Sequence, residues 1–194
     1  MITKQHIIEL EHICNEEFDR NARPKIVPFQ KLEKSIFLPT SLFVLYDTIK
    51  RFRNKNTILE LGSGDGRVSF LFALMGYDVT GIEYNPILHN LAANIIKPRL
   101  ISNGYDVTNT YFIQGDFFDH DFSKYDLIYF ADGGFEKHNE LEAKLVSSMR
   151  PVSSMRPNAL FLMYGQKQPL KNLRLSFWQR LSGYKEGRVM IYKK

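Results

Sequence analysis

The spacing of apolar residues divides the chain into two parts. In the first part, apolar residues recur at the intervals of a helix. Ile7, Leu10 and Ile13 predict an amphipathic helix near the N-terminus, and a second apolar stripe follows, with Thr40 or Ser41 placed to cap its helix. The stripe of this second helix consists of Leu42, Leu45, Tyr46, Ile49 and Phe52.

From residue 57 onward, short apolar runs alternate with longer helical patterns. The predicted strands are 57–61, 78–83, 110–114, 126–131 and 159–164. The predicted helices are 67–75, 86–103 with a kink or an end near Pro98, and 136–149. Two β-like runs around Ser182 and Gly183 predict a closing antiparallel hairpin. This order predicts an α/β fold, a Rossmann-like doubly wound sheet that is mostly parallel and ends in that hairpin.

Length and composition are those of one globular domain. The chain has 194 residues, of which 44% are hydrophobic and 24% charged, so a sizeable core can be buried. We expect residues 1–40 to form an N-terminal helix and connector, a lid-like extension, and residues 41–194 to form the main domain.

Charge and targeting signals narrow the class of protein. The net charge of +5 suggests an acidic partner such as nucleic acid, but the basic residues are spread over 50–55, 167–180 and 185–194, which favours a solvated basic surface. The single cysteine, Cys14, indicates a reduced thiol. No apolar run approaches the roughly 20 residues that span a bilayer, and the N-terminus lacks the pattern of a signal peptide. We therefore expect a soluble, cytoplasmic protein.

The segment 58–67, ILELGSGDGR, gives the most specific chemical signal. A strand ends at Gly62 and a helix follows, so Gly62, Gly64 and Gly66 can form a bend in which a ligand lies against the main chain. The start of the helix adds unpaired N–H groups. The dinucleotide pattern G-x-G-x-x-G needs a glycine at the position of Arg67, which argues against an NAD-dependent oxidoreductase.

The pattern E-x-G-x-G-x-G, which begins at Glu60, resembles that of the class I S-adenosylmethionine-dependent methyltransferases. The resemblance spans roughly residues 39–165. It implies that the bend, including Ser63, wraps the methionine part of S-adenosylmethionine, and that Glu60 helps to orient the amino group. It also implies methyltransferase activity.

Two further strand ends fit the same ligand. Glu83, followed by Tyr84, ends the second strand, and an acid there can accept two hydrogen bonds from a ribose diol. Asp116 follows the third strand. The resemblance implies that Asp116 accepts a hydrogen bond from the adenine amino group, and that Phe117 or Ile82 packs on the adenine ring.

A narrower resemblance concerns the acceptor of the methyl group. The segment 37–40, FLPT, is similar to the opening of small single-domain protein-lysine methyltransferases, in which a Pro-Thr turn that would include Thr40 closes over the methionine part of the ligand. The end of the fourth strand, 130–135, departs from the pattern of that subgroup. A protein lysine is therefore the favoured acceptor, with RNA or a small molecule as alternatives, and a non-catalytic cofactor-binding protein as a further one.

The end of the fourth strand is expected to face the methyl group. A lysine amine must lose its proton before it attacks, and an apolar pocket lowers its pKa by desolvation. Tyr129, Phe130, Phe135 and Tyr164 are available to line such a pocket. We predict Asp132 and Tyr129 as catalytic residues, with Asp132 steering the amine or relaying its proton. No histidine has the spacing of a metal ligand, so no metal site is predicted.

Overall fold

The computed structural model describes residues 2–25, 40–50, 56–132, 137–148, 160–165, 170–171, 174–180 and 188–193. The helices are α1 (Lys4–Glu17), α2 (Leu42–Ile49), α3 (Arg67–Leu74), α4 (Pro86–Asn90), α5 (Lys97–Ser102) and α6 (His138–Ser148). The strands are β1 (Thr57–Leu61), β2 (Asp78–Glu83), β3 (Thr110–Gln114), β4 (Leu127–Ala131), β5 (Leu160–Tyr164), β6 (Arg174–Arg180) and β7 (Arg188–Lys193). Two π-helical segments, Phe18–Ala22 and Leu91–Ile96, follow α1 and α4.

The strands of the described residues form one sheet in the order β3-β2-β1-β4-β5-β7-β6. Strands β1 to β5 are parallel, and β7 runs antiparallel to both of its neighbours, β5 and β6. The prediction of a mostly parallel α/β sheet with a C-terminal antiparallel pair is therefore confirmed. Because the chain reaches the edge at β3 and returns beside β1 as β4, the carboxyl ends of β1 and β4 form the switch point, where such sheets bind ligands.

Both faces of the sheet are buried, as a doubly wound fold requires. On one face, Ile58, Val79 and Tyr129 share a core with the apolar sides of α1, α2 and α3. On the other face, Leu59 and Ile128 pack in a second core with residues of α6. Because both faces of the sheet are buried, its strands are nearly continuous runs of apolar residues in the sequence.

The N-terminal helix is packed on the domain through the residues that its periodicity predicted. Ile7, Leu10 and Ile13 are buried in the core that α3 also lines. On its polar side, Glu17 forms an ion pair with Arg99 of α5. A lid-like role for residues 1–40 stays a prediction, and residues 26–39 lie outside the described residues.

The start of α2 is capped by a residue that is distant in the sequence. Ser41 occupies the N-cap position, but its side chain makes no capping hydrogen bond. The backbone N–H of Leu42 instead donates to the Glu11 carboxylate of α1 at 2.8 Å. Ser41 thus stands at the predicted N-cap position without capping through its side chain, and α1 supplies a charged acceptor to the first N–H of the helix.

The predicted helix over 86–103 is also organised differently. Asn85 caps its start, and the chain stays helical past Pro98 as far as Ser102. Of the two predicted alternatives, a kink or an end near Pro98, the end is absent. A π-helical segment, Leu91–Ile96, stands before the proline, which lies in the first turn of α5, where a missing N–H costs little. The other predicted boundaries within the described residues agree to within one or two positions, and Phe52 and Phe135 lie outside the described residues.

Candidate functional site

The bend between β1 and α3 uses glycine at three positions of positive φ. Gly62, Gly64 and Gly66 have φ values of 71°, 55° and 79°. A Cβ on Gly66 would lie 2.8 Å from Phe112 Cζ and 2.9 Å from Phe70 Cε2, whereas a Cβ on Gly62 would meet no atom within 4 Å. The bend therefore has one tightly packed side and one open side, and a ligand can approach the main chain at Gly62.

Ser63 is held between the bend and β2. The N–H groups of Gly62 and Ser63 both donate to the carbonyl of Ile82 at 2.9 Å. A Cβ on Gly81 would lie 2.8 Å from Ser63 Cβ, so Gly81 is needed for the bend to sit on β2. The Ser63 hydroxyl is buried and has no hydrogen-bond partner among the described residues. A buried hydroxyl in this state is unusual and can be completed by an ordered water or by a bound molecule.

Glu83 connects the end of β2 to the bend. One carboxylate oxygen accepts from the N–H of Gly64 and the other from the N–H of Asn85, both at 2.8 Å. Burial raises the pKa of the Glu83 carboxyl above its ordinary value, although these hydrogen bonds act to lower it. The Glu83 side chain therefore points toward the glycine bend, as expected if Glu83 and the bend contact the same ligand.

Glu60 lies beneath the bend, on the face of the sheet covered by α3. The Ser69 hydroxyl of α3 donates to its carboxylate. Burial raises the pKa of the Glu60 carboxyl well above its ordinary value, a rise that the hydrogen bond from Ser69 opposes and the negative charges of Asp65 and Glu83 increase. The carboxyl groups of Glu60 and Glu83 therefore lie close together beside the bend, and a cation placed there would favour their charged forms.

A buried ion pair stiffens the other end of the bend. Arg67 and Asp65 are both almost fully buried, and the guanidinium makes several hydrogen bonds to the carboxylate, the shortest at 2.6 Å. A further guanidinium nitrogen donates to Asn15 of α1 at 3.0 Å. Burial acts to lower the pKa of Arg67, but the charge of Asp65 raises it above its ordinary value, so the guanidinium stays charged.

Asp116 stands at the end of β3, next to β2 in the sheet. The N–H of Gly115 donates to the carbonyl of Glu83 at 3.0 Å, which fixes this neighbourhood. The Asp116 carboxylate accepts from the N–H of Phe118 at 3.0 Å. Phe117 is half-buried and packs against Phe118 at a ring distance of 4.8 Å. These side chains lie on the same rim as Glu83.

Tyr84 follows Glu83 and is exposed over 40% of its surface, so its ring is accessible at the rim. Ile82, by contrast, is buried in the second core. Of the two residues predicted to pack on adenine, Phe117 is only half-buried, whereas Ile82 is used for packing.

Thr40 and Tyr129 form a separate contact. Their hydroxyl oxygens lie 3.4 Å apart, and both side chains are buried. Tyr129 packs against Phe72 at a ring distance of 5.8 Å, and burial raises the pKa of its phenol well above the ordinary value. Tyr129 therefore remains a neutral phenol, and a catalytic role for it stays a prediction.

Asp132 follows β4 and is anchored to β5. Its N–H donates to the carbonyl of Tyr164 at 2.8 Å. Its Oδ2 lies 3.2 Å from Nε2 of His138, the first residue of α6. The structure thus pairs a predicted site residue with a histidine that sequence analysis did not assign to the site.

Comparison with known proteins gives the fold an identity. No family model and no curated protein matches the sequence. Among solved structures, an RNA methyltransferase from Salinibacter ruber in complex with S-adenosyl-L-homocysteine has a TM-score of 0.60 and 20% identity over 80% of this chain and 93% of its own. A Pyrococcus horikoshii OT3 protein has a TM-score of 0.58 and 17% identity over 78% of this chain and 88% of its own. A mutant of MtNAS in complex with S-adenosylmethionine has a TM-score of 0.59 and 16% identity over 79% of this chain and 61% of its own.

The chain has the class I methyltransferase fold. In this methyltransferase fold, the carboxyl ends of β1, β2, β3 and β4 share one rim, and the predicted residues are distributed along it. The structure brings Glu83 into direct contact with Gly64 and places Asp116 beside the end of β2. Thr40 and Tyr129 contact each other beneath this rim, and Glu60 contacts Ser69.

Several residues of the methyltransferase fold's rim were missed by sequence analysis. Arg67 was noted only because it stands where the dinucleotide pattern has its third glycine, and no role was predicted for Asp65 or Asn15. The alternation of charge in the segment GDGR hints at the Asp65–Arg67 pair, but nothing in the sequence points to Asn15. His138 gave no signal either, because no motif in the sequence links it to Asp132.

Two further properties bear on the site. Among the described residues, no group of three or more His, Cys, Asp or Glu side chains is arranged to hold a metal ion. No helix within the described part of the chain is long and apolar enough to cross a membrane.

Proposed function

We propose that this protein is an S-adenosylmethionine-dependent methyltransferase. The observation that supports the proposal best is the hydrogen bond from the Gly64 N–H to the Glu83 carboxylate. It joins a bend with positive-φ glycines to an acid on the next strand, at the switch point of the sheet. A nucleoside with a short charged tail fits such a rim, because the acid can bind the ribose while the bend receives the tail.

The residues around the bend suit this ligand in shape and in charge. The open side at Gly62 leaves space against the main chain, and the buried Ser63 hydroxyl lacks a partner that a ligand can supply. Burial raises the pKa of the Glu60 and Glu83 carboxyl groups, and a bound sulfonium and ammonium group would favour their charged forms and be stabilised in return. When bound, S-adenosylmethionine supplies a methyl group on a positively charged sulfur.

Each remaining residue of the predicted site has a proposed role. Glu83 binds the ribose diol, Asp116 the adenine amino group, and Phe117 and Tyr84 flank the adenine ring. Glu60 and Thr40 act on the methionine part. The main catalytic task of the chain is alignment, since holding nucleophile and methyl group in near-attack geometry can contribute about 7–11 kcal/mol.

Calorimetry tests the cofactor. The purified chain is titrated with S-adenosylmethionine, with S-adenosylhomocysteine and with NAD. We expect binding of the first two and no binding of NAD, since Arg67 and its partner Asp65 occupy the region where a dinucleotide loop has its third glycine. Preferential binding of NAD would contradict the proposal.

The acceptor is proposed to be a protein lysine, on the strength of the segment before α2. RNA is the second candidate, supported by the net charge of +5 and by the Salinibacter ruber RNA methyltransferase, which has a similar fold. Small molecules are the third. Labelled methyl groups from S-adenosylmethionine are followed into the protein, RNA and small-molecule fractions of a lysate. Label in protein that comigrates with methyllysine after hydrolysis would support lysine, and label in RNA would contradict it.

A non-catalytic cofactor-binding protein is the alternative outside enzymes. It predicts tight binding of S-adenosylmethionine with no label in any fraction. A parallel reaction with a known methyltransferase in the same lysate shows that acceptors are present and that the labelled methyl group can be transferred to them.

A further inference from the structure

The contact between Asp132 and His138 is a candidate for proton transfer. Asp132 Oδ2 and His138 Nε2 lie 3.2 Å apart, and their side chains are exposed by 12% and 28% respectively. The carboxylate is thus largely shielded, while the imidazole remains accessible to a molecule at the rim. A shielded carboxylate that orients an accessible imidazole is the arrangement that makes histidine an effective base.

The position of the pair relative to the bend is fixed by the sheet. Leu61 of β1 is in register with Phe130 of β4, so Asp132, two residues further along, follows the strand that adjoins the Gly62 bend. On its other side, the Asp132 N–H is bonded to the carbonyl of Tyr164 at the end of β5. The pair therefore lies beside the bend on the side away from β2, Glu83 and Asp116.

This separation divides the rim into two parts. If Glu83 and Asp116 hold the nucleoside, the methionine end of the ligand and its methyl group lie toward β4. The acceptor must then approach from the side where His138 is accessible. Among the described rim residues, His138 is the histidine at the β4 end, whereas His120 lies near Gly115 after β3.

We propose that His138 accepts the proton of the methyl acceptor and that Asp132 is the positioning residue that orients its ring. The inference rests on the proposed function. With the proton on Nε2, the imidazole donates to Asp132 Oδ2 and carries its lone pair on Nδ1. An acceptor ammonium transfers a proton to Nδ1 and becomes a neutral amine. The nitrogen lone pair then bonds to the methyl carbon as the carbon–sulfur bond breaks, and that bonding pair stays on sulfur as a neutral thioether.

His138→Gln tests the proposal with little change in packing, because the glutamine amide can still donate to Asp132 but cannot take up a proton at neutral pH. We expect the rate of labelled-methyl transfer into lysate to fall by about 100-fold or more, the usual contribution of a general base. Affinity for S-adenosylhomocysteine and the melting temperature should stay at the wild-type values. His12→Gln, at an exposed position on α1, is the matched control.

His138→Ala adds a rescue experiment. Added imidazole should restore part of the lost rate in this variant and have no such effect on wild type. If His138→Gln keeps the wild-type rate, the pair is structural and the proposal is overturned. The same holds if His138→Ala is inactive, folded and insensitive to imidazole.

A second measurement does not depend on turnover. Diethyl pyrocarbonate modifies accessible neutral imidazoles, and mass spectrometry of peptides reports each histidine separately. We expect S-adenosylhomocysteine to slow the modification of His138 at least threefold and to leave His12 unaffected. Equal modification of His138 with and without the ligand would place it outside the site and overturn the inference. Failure of the wild-type chain to bind the ligand would instead contradict the proposed function itself.

Discussion

The N–H of Gly64 donates to the carboxylate of Glu83 at 2.8 Å, and the N–H of Asn85 donates to the other oxygen of the same group. The Glu83 side chain is thereby fixed by two backbone donors before any ligand binds. Such preorganisation reduces the conformational entropy that binding would otherwise cost. It also means that the bend after β1 and the end of β2 respond together to a change at Glu83.

Glu83→Gln should weaken binding of S-adenosylhomocysteine by about 1–3 kcal/mol, roughly 5- to 150-fold. The amide places an NH2 group against one of two N–H donors, so one hydrogen bond becomes a repulsive contact. Calorimetry measures the loss. Asp78→Asn, at the exposed start of the same strand, is the control and should bind normally. Wild-type affinity in Glu83→Gln would exclude the residue from the site.

Gly62→Ala separates backbone strain from loss of ligand space. Gly62 and Gly104 both have positive φ, and a Cβ on either would meet no atom within 4 Å. Alanine at either position should therefore lower the free energy of unfolding by a similar amount, about 1–2 kcal/mol. Only Gly62→Ala should lose S-adenosylhomocysteine binding, because only its Cβ would enter the proposed site. If both variants bind equally well, the open side of the bend does not receive the ligand.

Ser63→Ala should have opposite effects on stability and on binding. Removing a buried hydroxyl without a partner should raise the free energy of unfolding of the ligand-free chain by about 1 kcal/mol. Affinity for S-adenosylhomocysteine should fall, since the ligand loses a donor. Ser69→Ala is the control, because that hydroxyl donates to Glu60 and its removal should destabilise the chain. A destabilised Ser63→Ala variant would indicate that the hydroxyl is satisfied after all.

Glu60 should make the ligand-free chain less stable as pH rises. Because burial raises its folded-state pKa well above 4.5, the folded chain binds more protons than the unfolded chain between those two pKa values, so stability is fully present below about 4.5 and is lost above it. Glu60→Gln stays neutral and can still accept from Ser69, so its melting temperature should fall less than that of wild type between pH 5 and pH 7.5. The exposed Glu140→Gln variant should follow wild type. If the melting temperatures of wild type and Glu60→Gln change equally with pH, the raised pKa of Glu60 is contradicted.

Local patterns in the sequence were sufficient for most of the fold. The strands from β1 to β5 and the order of helices follow from apolar spacing, and the glycines of the bend have the positive φ that their motif predicts. Glu83 could be placed because it ends a strand adjacent to the bend, and parallel strands end at a common rim. Each of these features depends on a segment no longer than about one strand, one turn and one helix, so the local sequence is enough to predict it.

The features that could not be predicted depend on contacts between distant segments. Glu11 caps α2 only because α1 packs beside it, and Asn15 reaches Arg67 for the same reason. The contact of Asp132 with His138 spans only six positions, but it joins the end of β4 to the start of α6, which apolar spacing does not predict. In each case a side chain acquires its role from the tertiary structure, which apolar periodicity does not encode.

Strand β7 follows all other described strands in the chain, yet it lies inside the sheet, between β5 and β6. During translation, β5 therefore keeps an open edge, with unpaired N–H and C=O groups, until residues 188–193 leave the ribosome. Strand β6 meanwhile has no neighbour to pair with, since among the described strands it contacts the sheet through β7. The nascent protein is thus exposed to strand exchange and aggregation until β7 has been synthesised, and a chaperone that shields the edge of β5 should increase the yield of folded chain.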